Sequence, residues 1–176
     1  MSGHNKWSKI KHKKAATDAK KSQVFSKLSK LITTESKKAD GNTDSPGLRF
    51  AIEKAKKENM PTINIERAVK KGISGDVSSM ESVTYEVYGP GGVALIVEGL
   101  TDSKNRTAAV IKHLLSEHGL ELAAPGSATW AFTKTSSGWK PNETIEIEDG
   151  ERQKLESLKD DLEGNDDVQA IYTNAQ

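Results

Sequence analysis

Apolar residues recur at helical spacing through the first part of the chain. Between residues 24 and 32 they are three or four positions apart, which predicts an amphipathic helix that begins at about Thr17. Ser45-Pro46 is typical of a helix start, and a third, short helix is predicted from Thr62 to Gly72. Three helices with one apolar stripe each predict a small bundle.

The hydrophobic period changes from 3.6 to two after a linker at residues 73–80. The predicted elements that follow are strands at 83–88 and 93–98, a helix at 103–118, strands at 127–133 and 143–148, a helix at 149–163 and a strand at 168–173. From residue 93 onward this βαββαβ order is that of ferredoxin-like domains, and one added strand precedes it. The predicted fold class is therefore α+β, with a helical domain at residues 1–75 and a ferredoxin-like domain at residues 76–176.

Charge divides the chain at the same place. Residues 1–75 carry 18 Lys and Arg against 7 Asp and Glu, whereas residues 76–176 carry 8 against 18, for a net charge of +1. Such an asymmetry is typical of a basic domain that binds a polyanion, joined to an acidic domain that does not. The alternative is a lysine-rich face that serves solubility alone.

The lysines of the first forty residues are the candidates for phosphate binding. Residues 1–16 contain few apolar side chains, so we expect a basic arm that is disordered or only partly helical when free. Lysine contacts phosphates without the planar fork by which Arg selects guanine, so little base discrimination is expected. The indole of Trp7 either stacks on an unpaired base or packs against the bundle. The candidates are Lys6, Trp7, Lys9, Lys11, His12, Lys13, Lys14, Lys20, Lys27 and Lys30.

Lys104 and Arg106 are two further candidates. They open the predicted helix at 103–118, where free backbone N–H groups favour anions. The alternative is that Asp102 caps this helix. The glycine-rich segment at residues 89–92 lacks the Lys-Ser/Thr of a phosphate-binding loop and is predicted to be a hairpin turn.

Composition argues against most other classes of protein. The chain has no Cys, so disulfides and thiol catalysis are excluded, and the His and acidic residues show no metal-ligand spacing. We find no catalytic motif, and expect a protein that is not an enzyme and needs no cofactor or metal. No apolar run could cross a bilayer and no secretory leader is seen. We expect a cytoplasmic protein without a membrane partner, and we expect it to be a monomer.

Motifs along most of the chain resemble those of the YebC family. They are Ser2 to Ala16, Asn59-Met60-Pro61, Asn64 to Ala68, Tyr88 to Ala94, Thr101-Asp102, Asn105-Arg106-Thr107, Gly126 to Phe132 and Asp166 to Gln169. The resemblance implies a cytoplasmic bacterial protein or a relative of the mitochondrial translational activators of cytochrome oxidase. Members are described as transcriptional regulators that bind DNA, and some are linked to the ribosome and to relief of stalled peptide synthesis. The implied partners are DNA, RNA or the ribosome.

The chain departs from the family in length. The resemblance implies a third domain inserted after the strand at Phe132, yet only residues 133–141 bridge that position here. A continuous domain at residues 93–176 fits the loss of such an insert. Functions that depend on the third domain are not expected of this chain.

Overall fold

The computed structural model describes the backbone of residues 4–75 and 79–176 and the side chains of residues 17–75 and 79–176. The chain divides into two compact units, Met1–Ser78 and Ser79–Gln176. The helices are α1 (His4–Lys38), α2 (Pro46–Lys57), α3 (Thr62–Ile73), α4 (Lys104–Glu117) and α5 (Asp149–Glu163). The strands are β1 (Glu81–Tyr88), β2 (Ala94–Thr101), β3 (Phe132–Thr135), β4 (Gly138–Pro141) and β5 (Val168–Thr173).

The first unit is the predicted three-helix bundle. The apolar stripes of α1, α2 and α3 meet in one core, formed by Leu28, Ile32, Leu48, Ala51, Ala55, Met60, Ile65 and Ala68. Two hydroxyls join α1 to α3, because Thr33 and Ser36 donate to the carbonyl oxygens of Ala68 and Val69 at 3.2 and 2.8 Å. Gly72 permits this close approach: a Cβ there would lie 2.6 Å from the carbonyl oxygen of Thr33.

Helix α1 begins earlier than the sequence predicted. Its backbone is helical from His4, so the expected start at about Thr17 is wrong. Lysine and alanine are good helix formers, and a helix that is already packed against a bundle extends by one hydrogen bond per residue without a second nucleation step. The arm is therefore the first part of α1 and not a separate segment.

The second unit is built on a three-stranded antiparallel sheet in the order β1-β2-β5. One face packs on α4 and α5, through a core that includes Val87, Leu95, Val97, Ile111 and Leu158. The turn between β1 and β2 falls at residues 89–93, which confirms the predicted hairpin. Strand β2 is buried along almost its whole length because both of its faces are covered.

The other face of the sheet is covered by the segment that leads into β3 and β4. Ala94 and Ile96 of β2 pack there against Ala128, Ala131 and Phe132. Strands β3 and β4 pair only with each other and form a separate hairpin. The hairpin therefore lies over the sheet and does not extend it.

The α+β class and the order of elements are confirmed, but the ferredoxin-like sheet needs correction. The strand predicted at residues 127–133 begins only at Phe132, after a short 3₁₀ turn. The strand predicted at 143–148 is reduced to one bridge, between Ile145 and Ala175. Ile145 donates to the carbonyl oxygen of Asn174 at 2.7 Å and accepts from the N–H of Gln176 at 2.9 Å, so the segment pairs with the end of the chain. In the part of the chain that the structure describes, no helix is both long and apolar enough to span a membrane.

Candidate nucleic-acid interface

The candidate residues of the arm share the first turns of α1. Their backbone is helical, but their side chains lie outside the described part of the structure. This group comprises Lys6, Trp7, Lys9, Lys11, His12, Lys13 and Lys14. Whether Trp7 packs or stacks therefore stays a prediction.

The remaining lysines of α1 differ in exposure. Lys20 is exposed, whereas Lys27 and Lys30 are half-buried. Lys27, Lys30 and Lys37 each take part in an interaction within the structure, and Lys38 forms an ion pair with Glu35 at 2.7 Å. The candidate lysines are thus present on α1, but Lys27 and Lys30 already take part in interactions within the protein.

Lys104 and Arg106 lie against carboxylates of their own unit. Lys104 pairs with Glu81, and the guanidinium Nη2 of Arg106 lies 2.7 Å from Asp102 and 3.1 Å from Asp167. Hydrogen bonds to Asp167 and then Asp102 raise the pKa of Arg106. Asp102 makes an ion pair with Arg106 and does not cap the helix, because Ser103 occupies the N-cap without a side-chain hydrogen bond. An incoming phosphate would have to compete with these carboxylates for either cation.

Asp167 joins three elements of the second unit. It is buried at the start of β5 and accepts hydrogen bonds from the hydroxyls of Thr107 in α4 at 2.7 Å and Thr101 in β2 at 3.3 Å. Its backbone oxygen accepts from the N–H of Leu100 at 2.8 Å. The carboxylate that holds Arg106 is therefore part of the internal structure of the unit.

A buried glutamate holds the loop that precedes β3. Glu86 is 8% exposed and accepts from the backbone N–H groups of Gly126, Ala128 and Thr129 at 2.6, 2.7 and 2.9 Å. Burial alone would raise the pKa of this carboxyl, but the backbone hydrogen bonds outweigh it and lower the pKa. A single ionised side chain thus fixes the position of residues 126–129.

This loop presents an exposed tryptophan that the sequence reasoning missed. Trp130 is 71% exposed, and its indole N–H donates to the Tyr88 hydroxyl at 3.4 Å. The Tyr88 hydroxyl in turn donates to the carbonyl oxygen of Ser127, and the Asn142 amide donates to that of Trp130 at 3.0 Å. No signal of this exposure is visible in the sequence, because Trp130 lies in the apolar run Trp130-Ala131-Phe132 and its exposure depends on the 3₁₀ turn before β3.

Polar contacts fasten the β3–β4 hairpin to the sheet. Glu98 of β2 accepts from the Trp139 indole at 2.9 Å and from the Lys134 ammonium at 2.7 Å. The same ammonium lies 4.6 Å from the centre of the Trp139 ring. Burial, followed by the charge of Glu98, raises the pKa of Tyr172 beside it. The short bridge at residues 133–141 is therefore an ordered part of the second unit.

Cations on α2 and α3 were not among the candidates predicted from the sequence, which lie in residues 1–40 and at the start of α4. On the outward face of each helix two cations follow an exposed apolar residue. We call Lys54, Lys57, Arg67 and Lys70 the outer cations, and Phe50 and Ile63 the exposed apolar pair. Lys54 is half-buried, and the other three outer cations are exposed.

Metal binding finds no support in the side chains that the structure describes. Within residues 17–75 and 79–176, no three His, Asp or Glu side chains cluster in a way that could hold a metal ion. The candidate chemistry is therefore that of cations, exposed aromatic rings and hydrogen-bond donors.

Family models match almost the whole chain. The model described as the TACO1/YebC protein N-terminal domain matches residues 5–75, and the model of the TACO1/YebC second and third domain matches residues 80–137 and 134–175. The two segments of the second match meet in the β3–β4 hairpin. The shortening predicted from the sequence is thus found at that hairpin.

Similar proteins agree with this assignment. A "probable transcriptional regulatory protein" of Thermoanaerobacter pseudethanolicus is 39% identical over 241 residues, which cover 100% of this chain and 97% of the relative. Since this chain has 176 residues, at least 65 positions of that alignment have no counterpart here. A protein of the same name from Dictyoglomus thermophilum is 48% identical over 172 residues, covering 96% of this chain and 67% of the relative.

A solved structure has the same fold. The crystal structure of a conserved hypothetical protein of Aquifex aeolicus superposes with a TM-score of 0.79 at 30% sequence identity, over 90% of this chain and 91% of that chain. Fold, motifs and both family models agree, and this chain belongs to the TACO1/YebC family.

Proposed function

We propose that this chain is a transcriptional regulator that binds DNA through its basic first unit. The observation that carries the proposal is the separation of charge between the units, with a surplus of 11 positive charges in residues 1–75 and of 10 negative charges in residues 76–176. A basic surface gains affinity from the counterions that phosphates release, whereas the acidic unit would be repelled by the same backbone. The names of its relatives support regulation of transcription as the biological role.

The proposed contacts are graded by their surroundings. The arm residues Lys6 to Lys14 and the exposed Lys20 are the primary phosphate contacts, with Lys27 and Lys30 beside them on α1. Lys104 and Arg106 are secondary, because their carboxylate partners offset their charge. In this proposal the second unit acts without catalysis, by contact with other proteins or by orienting the complex.

A salt series on the full chain tests the proposal. We expect mobility shifts with promoter DNA that survive nonspecific competitor, and a logarithmic affinity that falls linearly with the logarithm of salt concentration. Replacing Lys9, Lys11 and Lys13 by Gln removes up to three phosphate contacts, and would lower the slope of that line by about 2.7 on duplex DNA. The matched control replaces three cations of the acidic unit, Lys112, Lys140 and Lys154, and should leave the slope unchanged.

Two results would contradict the proposal. One is equally weak binding to every duplex together with firm retention on ribosomes during sedimentation, which would favour the translational role of some family members. The other is a loss of DNA affinity that is equal in the arm triple variant and in its control, since the charge separation would then play no part.

A further inference from the structure

Helices α2 and α3 carry the same eight-residue pattern. Its first position is apolar, and Ile, Glu, a cation and Ala occupy the third to sixth positions. Lys occupies the eighth position, and the second and seventh positions vary. The second copy starts thirteen positions after the first. The copies are Phe50-Ala51-Ile52-Glu53-Lys54-Ala55-Lys56-Lys57 and Ile63-Asn64-Ile65-Glu66-Arg67-Ala68-Val69-Lys70. Two helices of equal length in one small bundle thus share one pattern of residue types.

The structure buries the shared Ala of both copies. Ala55 and Ala68 lie in the bundle core, where Ile65 is also buried, whereas Ile52 is partly buried and packs against that core. The first, fifth and eighth positions of each copy are separated by four and three residues, so they lie together on one helical face. On α3 that face is opposite the buried residues, whereas on α2 it borders the buried sector at Lys54, which is half-buried. Helices α2 and α3 contact each other and share one core with α1.

Packing within the bundle does not explain the residue types at the first, fifth and eighth positions of each copy. Phe50 is 49% exposed and Ile63 is 60% exposed, so neither contributes its full surface to the core. The Glu of each copy stands four residues before the final Lys, a spacing that commonly stabilises helices through ion pairs. In the described part of the chain, however, none of the outer cations has a carboxylate at salt-bridge distance.

We propose that the outward faces of α2 and α3 form a binding surface for a single-stranded stretch of nucleic acid. The outer cations contact its phosphates, and the exposed apolar pair packs against its bases and sugars. Single strands are the fitting occupant because an unpaired base offers its face to Phe50, whereas a duplex buries those faces in its own stack. This inference rests on the proposed function, and it places a second contact surface outside residues 1–40.

An acidic segment of another protein is the competing occupant. It would satisfy the outer cations equally well, since Lys and Arg pair with carboxylates as with phosphates. An acidic segment would give no specific role to the Phe50 ring, which lies on the same helical face as two cations. That arrangement suits the alternating phosphates and bases of a nucleic acid. The experiment therefore includes labelled polyglutamate, an acidic polypeptide, as a separate ligand.

Fluorescence anisotropy of the full chain with labelled oligouridine, oligothymidine and a DNA duplex tests the surface. Two double variants each remove one pair of outer cations, Lys54→Gln with Lys57→Gln and Arg67→Gln with Lys70→Gln. Each should lower the slope of logarithmic affinity against logarithmic salt concentration on single strands by about 1.4. Because the pattern is repeated, the two losses should be similar. Lys112→Gln with Lys140→Gln is the control of equal charge, and should behave as wild type.

The aromatic contact has its own variant. Phe50→Leu keeps an apolar side chain but removes the ring, and should weaken single-strand binding about 5-fold or more while duplex affinity is unchanged. Phe50 is half exposed, so this change should leave the thermal unfolding midpoint close to that of wild type. Circular dichroism of every variant verifies that the bundle is intact.

The outcomes separate the surface from the proposed function. If both double variants bind single strands as wild type does while the arm triple variant loses affinity, the surface is refuted and the proposed function stands. If wild type binds no nucleic acid even at low salt, both are refuted. Loss of polyglutamate binding in the double variants, with single-strand binding retained, would assign the surface to an acidic protein and overturn the inference.

Discussion

Replacing Glu86 by Gln should destabilise the second unit and remove part of its acid sensitivity. The carboxylate accepts three backbone N–H groups at 2.6–2.9 Å while 8% exposed. The amide oxygen of Gln can serve the two donors that share one carboxylate oxygen, but its NH₂ group would then face the N–H of Gly126. One charge-assisted hydrogen bond is lost and a buried donor is left unpaired, which costs about 2–3 kcal/mol.

The sign of the pH effect follows from the lowered pKa of Glu86. Its pKa in the folded protein is below the ordinary glutamate value of about 4.3, so its contribution is fully present above that value. Stability is lost as the pH falls through the lower folded pKa, because protonation then favours the unfolded chain. Gln does not titrate, so the variant should lose less stability than wild type between neutral pH and pH values below about 4.3.

Urea unfolding followed by tryptophan fluorescence measures both effects, since Trp130 and Trp139 report on this unit. At neutral pH the midpoint should fall by about 1–2 M. Amide exchange at Gly126, Ala128 and Thr129 should accelerate at the same time. Glu121→Gln is a control in the same region, because Glu121 is exposed, and it should stay within about 0.5 kcal/mol of wild type. A Glu86→Gln midpoint equal to that of wild type, with the same dependence on pH, would refute the reasoning.

Three further changes test contacts inside the two units. Gly72→Ala should lower the stability of the helical unit by about 1–3 kcal/mol in thermal unfolding, despite the higher helix propensity of Ala, because the added methyl lies 2.6 Å from the Thr33 carbonyl oxygen. Asp167→Asn should cost about 2–3 kcal/mol in urea unfolding, because Thr107 and Arg106 lose an ionised acceptor. Trp139→Ala should accelerate amide exchange throughout residues 132–141 and cost about 2 kcal/mol, because the hairpin loses a partly buried apolar contact with the sheet and the hydrogen bond to Glu98.

For each of these three predictions, one result would contradict the reasoning. A Gly72→Ala protein more stable than wild type would show that α1 and α3 can separate without loss. An Asp167→Asn protein of unchanged stability would mean that the two hydroxyls and the guanidinium do not depend on the charge. Unchanged exchange in the hairpin of Trp139→Ala would show that β3 and β4 are held by their own pairing alone.

Local sequence patterns predicted the elements that depend on near neighbours. The apolar stripes of α2 and α3 and the Ser45-Pro46 start placed these helices, and α5 and β5 have the predicted bounds. The hairpin turn after Tyr88 was predicted from its glycines, and Gly91 and Gly92 indeed have positive φ values of 71° and 76°. Such features are set by hydrogen bonds and backbone conformations within a few residues, so the sequence shows them directly.

Strand partners were not predictable in the same way. Residues 127–133 and 143–148 were both predicted as strands, but a local pattern does not say which neighbour a strand will find. The sheet takes β1 as the partner of β2, so β3 and β4 are left to pair with each other and cover the opposite face through Phe132 and Trp139. Pairing between distant segments is decided by which surfaces remain uncovered once the rest has packed.

The candidate site also combines features that the sequence shows directly with features that depend on tertiary contacts. Sequence alone determined the separation of charge, the basic start of the chain, the absence of cysteine and the family, because these are properties of composition and motif. Only the tertiary structure showed that Arg106 is held by two carboxylates, that Glu86 fixes the loop carrying Trp130, and that no carboxylate of the described residues lies at salt-bridge distance from the outer cations. The physical reason is that charge and helical period are written in neighbouring residues, whereas the partner and exposure of a side chain depend on residues that folding brings from elsewhere in the chain.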